Sequence, residues 1–305
     1  MEPKNNPKTE QNRQKPEQTQ KTPQKAQKSP KNEKTLKKTT QKSAFSIKSA
    51  LKILALPLWV GIVLVAVQYI VVYALYFLLG REKLVTPVWT TVANAFIYTL
   101  ALLAIIFLPE KIQNLYKNFK KKKENPSSKD IPKSSSLKTS REELGLKNLP
   151  TWSDILLAPA GFVVYFILAT ILVAIFSGFS FFDATEAQDV GYNFLSNGFD
   201  RVVAFIALCV VAPIAEETIF RGWLYGKLRA KIPGEKTSLI LSILITSVLF
   251  ATMHGQWNVG VNVFAMSVIV CLMREITGTI YSGILLHIIK NTIAFVLLYI
   301  LGFGI

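Results

Sequence analysis

The sequence predicts an all-α, polytopic integral membrane protein of about seven transmembrane helices preceded by a disordered N-terminal tail. Three observations predict it. Uncharged runs of 27 residues from Ile53 to Leu79, 26 from Leu84 to Pro109 and 28 from Ile155 to Phe182 each exceed the roughly 20 residues that cross a bilayer. The excess positive charge is confined to two polar segments beside those runs. The chain's only two histidines lie inside the apolar C-terminal third, where ionisable groups cost several kcal/mol unless they face a partner or a wet cavity.

Residues 1–48 are rich in Lys, Gln, Pro, Thr and Asn and carry almost no large apolar side chain before Phe45. Such a segment cannot bury enough surface to order itself, and it is expected to be a basic cytoplasmic tail. Residues 49–109 then supply two antiparallel spans joined by the short link Gly80 to Lys83. The first starts too far from Met1, and is too long, for a cleaved signal peptide. Residues 110–150 read as a disordered, basic cytoplasmic loop, near whose end Ser140 and Glu143 have the spacing of a helix capping box. Within 151–199, Trp152 marks an interfacial entry to the third span, and the acidic stretch 183–200, with no base, reads as an extracytoplasmic loop.

The core, 200–301, holds four more helices. One begins near Arg201 and runs to about Lys231, where Pro233-Gly234 stops it. The next covers about Thr237 to His254 and breaks at Gly255-Gln-Trp-Asn258. Two more follow, from about Val259 to Met273 and from Thr279 to Leu301.

A net charge of +16 invites a nucleic-acid partner, but its distribution argues otherwise. Residues 1–48 contribute 13 Lys/Arg against 4 Glu, and residues 110–150 contribute 11 against 5 acids, so nearly all of the excess sits where the positive-inside tendency puts it. The expected partners are membrane lipids, with Lys120 to Lys123 as a headgroup contact, and a peptide or protein substrate at the membrane. No nucleic acid is expected. The charge placement assigns the protein to the cell membrane with its N-terminus in the cytoplasm. Cys209 and Cys271 lie in apolar runs and form no framework.

An uncharged run from Val202 to Ala215 leads into Glu216 and Glu217, with Arg221 one turn beyond. Adjacent helical residues point about 100° apart, so one carboxylate faces a pocket while the other serves structure. Glu217 and Arg221 have the favourable i, i+4 order for an ion pair, which leaves Glu216 as general base toward water. His254 ends its helix with Phe250 on the same face, and His287 has Asn291 one turn on. Residues equidistant from the Pro233-Gly234 turn lie at one height, which lets Glu216 and His254 face each other. His287 reaches them only with a tilt or an irregular link. An imidazole and an amide can donate to a developing oxyanion, so these are parts for hydrolysing an acyl bond without a Ser or Cys nucleophile. Lys290, in mid-span, is expected to snorkel or to pair with Glu217.

These residues resemble the CPBP family of intramembrane proteases, the type II CAAX prenyl endopeptidases and bacteriocin-processing or immunity proteins. The family's EExxxR is Glu216-Glu217 to Arg221, its FxxxH is Phe250 to His254, and its HxxxN is His287 to Asn291. The resemblance covers about residues 200–295. It implies endopeptidase activity within the bilayer, with Glu216, Glu217, Arg221, His254, His287 and Asn291 as site residues and lipidated CAAX-type peptides among the substrates. The cofactor stays open: Glu216, His254 and His287 are the three ligands a catalytic zinc would take, although H-E-x-x-H is absent. Glu-activated water with His/Asn oxyanion stabilisation is the favoured chemistry. The competing class is a non-catalytic scaffold or immunity-type protein. A transporter would show paired Gly/Pro-broken spans in matching halves, which this sequence lacks.

Overall fold

In the computed structural model, residues 47–124, 139–147, 149–186, 195 and 198–302 are described. The tail expected over 1–48 lies outside them except for Ile47 and Lys48, as do 125–138 and most of 187–197. Seven helices are long and apolar enough to cross a membrane: α1 (Ile47–Leu79), α2 (Pro87–Glu124), α3 (Trp152–Phe176), α4 (Gly198–Lys231), α5 (Glu235–Thr252), α6 (Trp257–Thr277) and α7 (Tyr281–Ile300). Among the described residues there is no strand. The chain is therefore an all-α, multi-pass membrane protein.

One expected boundary is wrong. The second span was drawn to end at Pro109, with a disordered loop beyond, but α2 continues as helix to Glu124. A proline inside a helix removes one N–H and frees the carbonyl four residues back, here that of Ile105. Trp59 of α1 donates its Nε1–H to that carbonyl at 3.4 Å. The neighbouring span thus satisfies the group that Pro109 orphans, and the helix need not stop.

A second difference concerns the start of α3. Ser140 Oγ does accept from the Glu143 N–H at 3.1 Å, but residues 141–145 form a turn, not a helix. The full capping box lies further on, where Thr151 and Asp154 exchange side-chain and backbone bonds at the head of α3. Asp154, buried, also accepts from Thr279 Oγ1 at 2.6 Å, tying that end of α3 to the α6–α7 turn.

The helices have two kinds of environment. α1 packs mainly on α2, while α2 packs on both α1 and α4, and both keep wide apolar faces outward, as Leu58, Ile62, Tyr73, Phe77 and Phe107 show. α6 is the central helix, packed along α3 and α5 and against α7. Phe220, Trp223 and Leu224 of α4, Met266, Val270 and Met273 of α6, and Leu286 of α7 share one core with α3.

Contacts between links sort the two ends of the bundle. At one end, Lys227 pairs with Glu143 at 2.8 Å, Arg274 donates to the carbonyls of Gly222 and Glu143, and Arg229 grips Glu275 through two bonds of 2.9 Å. At the other end, Gln256 reaches Glu186 at 3.2 Å, joining the 177–186 link to the break between α5 and α6.

Candidate functional site

The site forms where α4 departs from regular α-geometry. Two π-helical stretches, Ile206–Val211 and Thr218–Tyr225, flank the regular turn Ala212–Glu217, and such widened turns recur at functional positions. Their local cause is legible at Pro213. In the π register each N–H reaches five residues back, as Ala212 N–H does to Ala207 O. Pro213 has no N–H for Leu208 O, so this carbonyl is orphaned inside lipid-facing protein. Asn291 of α7 supplies the missing donor, its Nδ2 lying 2.9 Å from Leu208 O. The motif asparagine therefore pins α7 to α4.

That pin places His287, one turn earlier, between the two glutamates. His287 Nδ1 lies 3.0 Å from Glu217 Oε1, and its Nε2 lies 3.8 Å from Glu216 Oε2. The 100° between adjacent helical residues does not separate them here, because His287 enters from α7 between both side chains. Glu217 also takes Arg221 Nη1 at 2.9 Å, with both side chains fully buried. Glu216 is the reachable member, with 17% of its side chain exposed. The other oxygen of Glu217, Oε2, abuts Gly283 of α7.

Phe250 has a role that the sequence reading left blank. Its ring carries the Arg221 guanidinium 4.4 Å from its centroid, a cation–π contact, and packs tilted against Phe220 with centroids 4.7 Å apart. It also stands edge-on to both imidazoles, 5.1 Å from His254 and 6.1 Å from His287. Phe250 thus gathers the three motifs around one ring. His254 Nδ1 bonds the Phe250 carbonyl at 2.9 Å, and its ring is within electrostatic reach of Glu216 and Lys290.

The hydrogen-bond partners of the two Nδ1 atoms are acceptors. A carbonyl and a carboxylate only accept, so both Nδ1 atoms carry a hydrogen, and the neutral form of each ring has a bare Nε2. The donors expected at an oxyanion are thereby committed: His287 N–H to Glu217, and the Asn291 amide to Leu208.

Sequence reasoning missed Tyr98. It lies on α2, 118 residues before Glu216, yet its hydroxyl donates to Glu216 Oε1 at 2.6 Å. A tyrosine in an apolar run carries no local signal of such a partner. Of the two expectations for Lys290, pairing with Glu217 does not occur: Glu217 is taken by Arg221 and His287, and Lys290 lies near Glu216 and Cys209.

The donor set is not arranged for zinc. Among the described residues, no three His, Cys, Asp or Glu side chains are grouped to hold a metal ion. Glu216 Oε1 is engaged by Tyr98, and the His254 ring is turned onto its own helix. The trio Glu216, His254 and His287 does not fit the ion as a ligand set in this structure.

Three motifs from separate spans thus meet on one buried polar cluster of a multi-pass helical membrane protein. Residues 198–293 match the family model described as type II CAAX prenyl endopeptidase Rce1-like, a segment that holds all seven motif residues and supports the resemblance drawn from them. The chain is also similar to an uncharacterized 24.3 kDa protein of Escherichia coli, 28% identical over 97 residues. That match covers 31% of this chain and 43% of the relative, so the chain spans less than half the length of this curated relative. No solved structure matches the chain.

Proposed function

We propose that the protein is an intramembrane endopeptidase that hydrolyses a peptide bond of a membrane-associated substrate, lipidated CAAX-type peptides included, using water activated by Glu216. The observation that carries this reading is the 3.8 Å gap between Glu216 Oε2 and His287 Nε2. Both atoms are acceptors, and a single water can donate to both at ordinary bond lengths of about 2.8 Å, leaving its lone pair free to attack.

In this reading Glu216 takes the water's proton as the oxygen bonds to the carbonyl carbon, and the C=O π pair moves onto the carbonyl oxygen. When the C–N bond breaks, the Glu216 carboxyl returns that proton to the leaving amine. Glu217, held by Arg221, orients His287 through Nδ1 and fixes the tautomer that keeps Nε2 bare. His254 forms the opposite polar wall, and Asn291 acts as a positioning residue through Leu208. No step is routed through a metal.

The protein is further proposed to sit in the cell membrane with its N-terminus cytoplasmic, its partners being lipids and a peptide substrate and not nucleic acid. The basic end of the bundle, with Lys227, Arg229 and Arg274, then faces the cytoplasm.

The test is cleavage of a membrane-anchored peptide library by the purified full chain, compared with Glu216→Gln. Loss of turnover by at least about a hundredfold is expected for removal of a general base. Equal cleavage by the two proteins would end the enzymatic reading in favour of a contaminant and a non-catalytic scaffold.

A further inference from the structure

The site as assembled is short of one component. An acyl transfer needs a hydrogen-bond donor where negative charge develops on the carbonyl oxygen. The two donors that the motifs offer are committed elsewhere, His287 Nδ1–H to Glu217 and the Asn291 amide to Leu208 O. His254 Nδ1–H is committed to the Phe250 carbonyl. Thr218, next to the glutamates, spends its hydroxyl on Ile214 O at 2.7 Å.

One hydroxyl is bound to the reacting carboxylate itself. Tyr98 O–H lies 2.6 Å from Glu216 Oε1, the oxygen that does not face His287. The 3.8 Å gap at Oε2 and the phenol on Oε1 therefore lie at the two oxygens of one carboxylate. A substrate carbonyl attacked from the Oε2 side would meet the phenol if its oxygen turned toward Oε1, since a hydroxyl hydrogen swings freely about its C–O bond. Tyr98 belongs to α2, outside the 198–293 segment that carries the motifs.

We propose that Tyr98 is a catalytic residue of this protein: the oxyanion donor, which transfers its hydrogen bond from Glu216 Oε1 to the substrate carbonyl oxygen as the tetrahedral intermediate forms. The proposal rests on the protease reading above. No proton leaves the phenol. The proton taken from water stays on Glu216 until it passes to the leaving amine, and the phenol only exchanges one acceptor for another. Releasing Glu216 Oε1 at that moment costs nothing further, because the carboxyl has become protonated and is a poorer acceptor. The first helical hairpin is on this account part of the enzyme and not merely an anchor.

The experiment uses the full chain in nanodiscs and a peptide that the wild type cleaves. Tyr98→Phe removes the donor and keeps the ring. It is expected to lower kcat by about a hundredfold, the effect of losing one oxyanion donor, with KM within about threefold, because the contact is made in the transition state and not in the ground state. Replacing Tyr98 with a ring-fluorinated tyrosine, a stronger donor of nearly the same shape, is expected to raise kcat above the wild-type value, which a packing role does not predict; an unchanged kcat overturns the proposal. Binding of a peptide phosphonate, a tetrahedral anionic mimic, is expected to weaken in Tyr98→Phe by a similar factor while substrate affinity holds.

Unchanged kcat in a folded Tyr98→Phe protein overturns the proposal and leaves the protease reading intact. A rise in KM with kcat preserved also overturns it. A wild type that cleaves nothing overturns both. If Tyr98→Phe does not fold, the fluorinated protein decides alone: kcat unchanged or falling as the phenol becomes more acidic is the overturning result.

Discussion

Asn291 donates to the carbonyl of Leu208 across 2.9 Å, and that carbonyl is available because Pro213, five residues on in a π-helical turn, has no N–H to offer it. Removing the amide while keeping the proline leaves a buried acceptor unpaired, which costs about 1–3 kcal/mol. Asn291→Ala is therefore expected to destabilise the protein by that amount. Pro213→Ala, which restores an N–H at the same place, is expected to relieve part of the loss. A double-mutant cycle on unfolding in mild detergent checks this: the expected coupling between the two positions is about 1 kcal/mol, and strictly additive losses would refute the link between proline and asparagine.

The same relation recurs between Trp59 and Ile105 below Pro109, with a parallel expectation. Trp59→Phe keeps the packing of α1 on α2 and removes only the donor. It is expected to cost about 1 kcal/mol and to increase hydrogen exchange of the α2 backbone just after Pro109, with little effect on residues of α6. Exchange that rises equally in both helices would show that the tryptophan supports the whole bundle and not this one carbonyl.

The buried pair Glu217–Arg221 is a different case. Both side chains are fully buried, and Arg221 lies over Phe250. Taking away one partner leaves an uncompensated charge, a change that typically costs 3–5 kcal/mol. Arg221→Met is expected to fall in that range, and the double change Glu217→Gln, Arg221→Met to recover a substantial part of the stability without recovering turnover, since His287 loses the carboxylate that fixes its tautomer. Thermal unfolding and peptide cleavage, measured on the same three variants, separate the two effects.

How much of this was legible in the sequence follows from range. The spans are written in run length, and α3, α4 and α6 stand close to where the hydropathy puts them. The seven motif residues are written in spacing, and the structure does bring Glu216, Glu217, Arg221 and His287 into contact. What was not legible depends on a partner far along the chain. The charges from Glu110 on read as the start of a loop, and only the Trp59 donor, 46 residues before Ile105, shows how α2 passes Pro109 and continues. The π-helical turns shift the register by one residue, which no apolar periodicity reveals when every face is apolar. Tyr98 is one aromatic residue among the many that an apolar span carries. Phe250 was named within its motif, but its part as the ring shared by Arg221, His254 and His287 needs three helices at once.

Gly283 sets the approach of α7 to the site. A Cβ there would collide with Val270 Cγ1 of α6 and come within 3.4 Å of Glu217 Oε2. Gly283→Ala is expected to push α7 outward, cost about 1–3 kcal/mol by overpacking and lower turnover by displacing His287 from Glu216. At Gly198 an added Cβ meets nothing within 4 Å, so Gly198→Ala is expected to stay within about 0.5 kcal/mol of the wild type and keep full activity. Similar losses at both glycines would mean that helix flexibility, and not the close contact at Gly283, governs the site.

The donor geometry also predicts how the protein responds to chelators. With Tyr98 on Glu216 Oε1 and His254 Nδ1 on the Phe250 carbonyl, the polar groups form a hydrogen-bonded set in which Glu216 and His287 address one water. Cleavage by the purified chain is therefore expected to survive prolonged incubation with a strong zinc chelator, within about twofold, and elemental analysis is expected to find well under one transition-metal ion per chain. Activity that falls with chelation and returns on adding zinc alone would show instead that Glu216, His254 and His287 rearrange into a ligand set, and it would move the activation of water from the carboxylate to the metal.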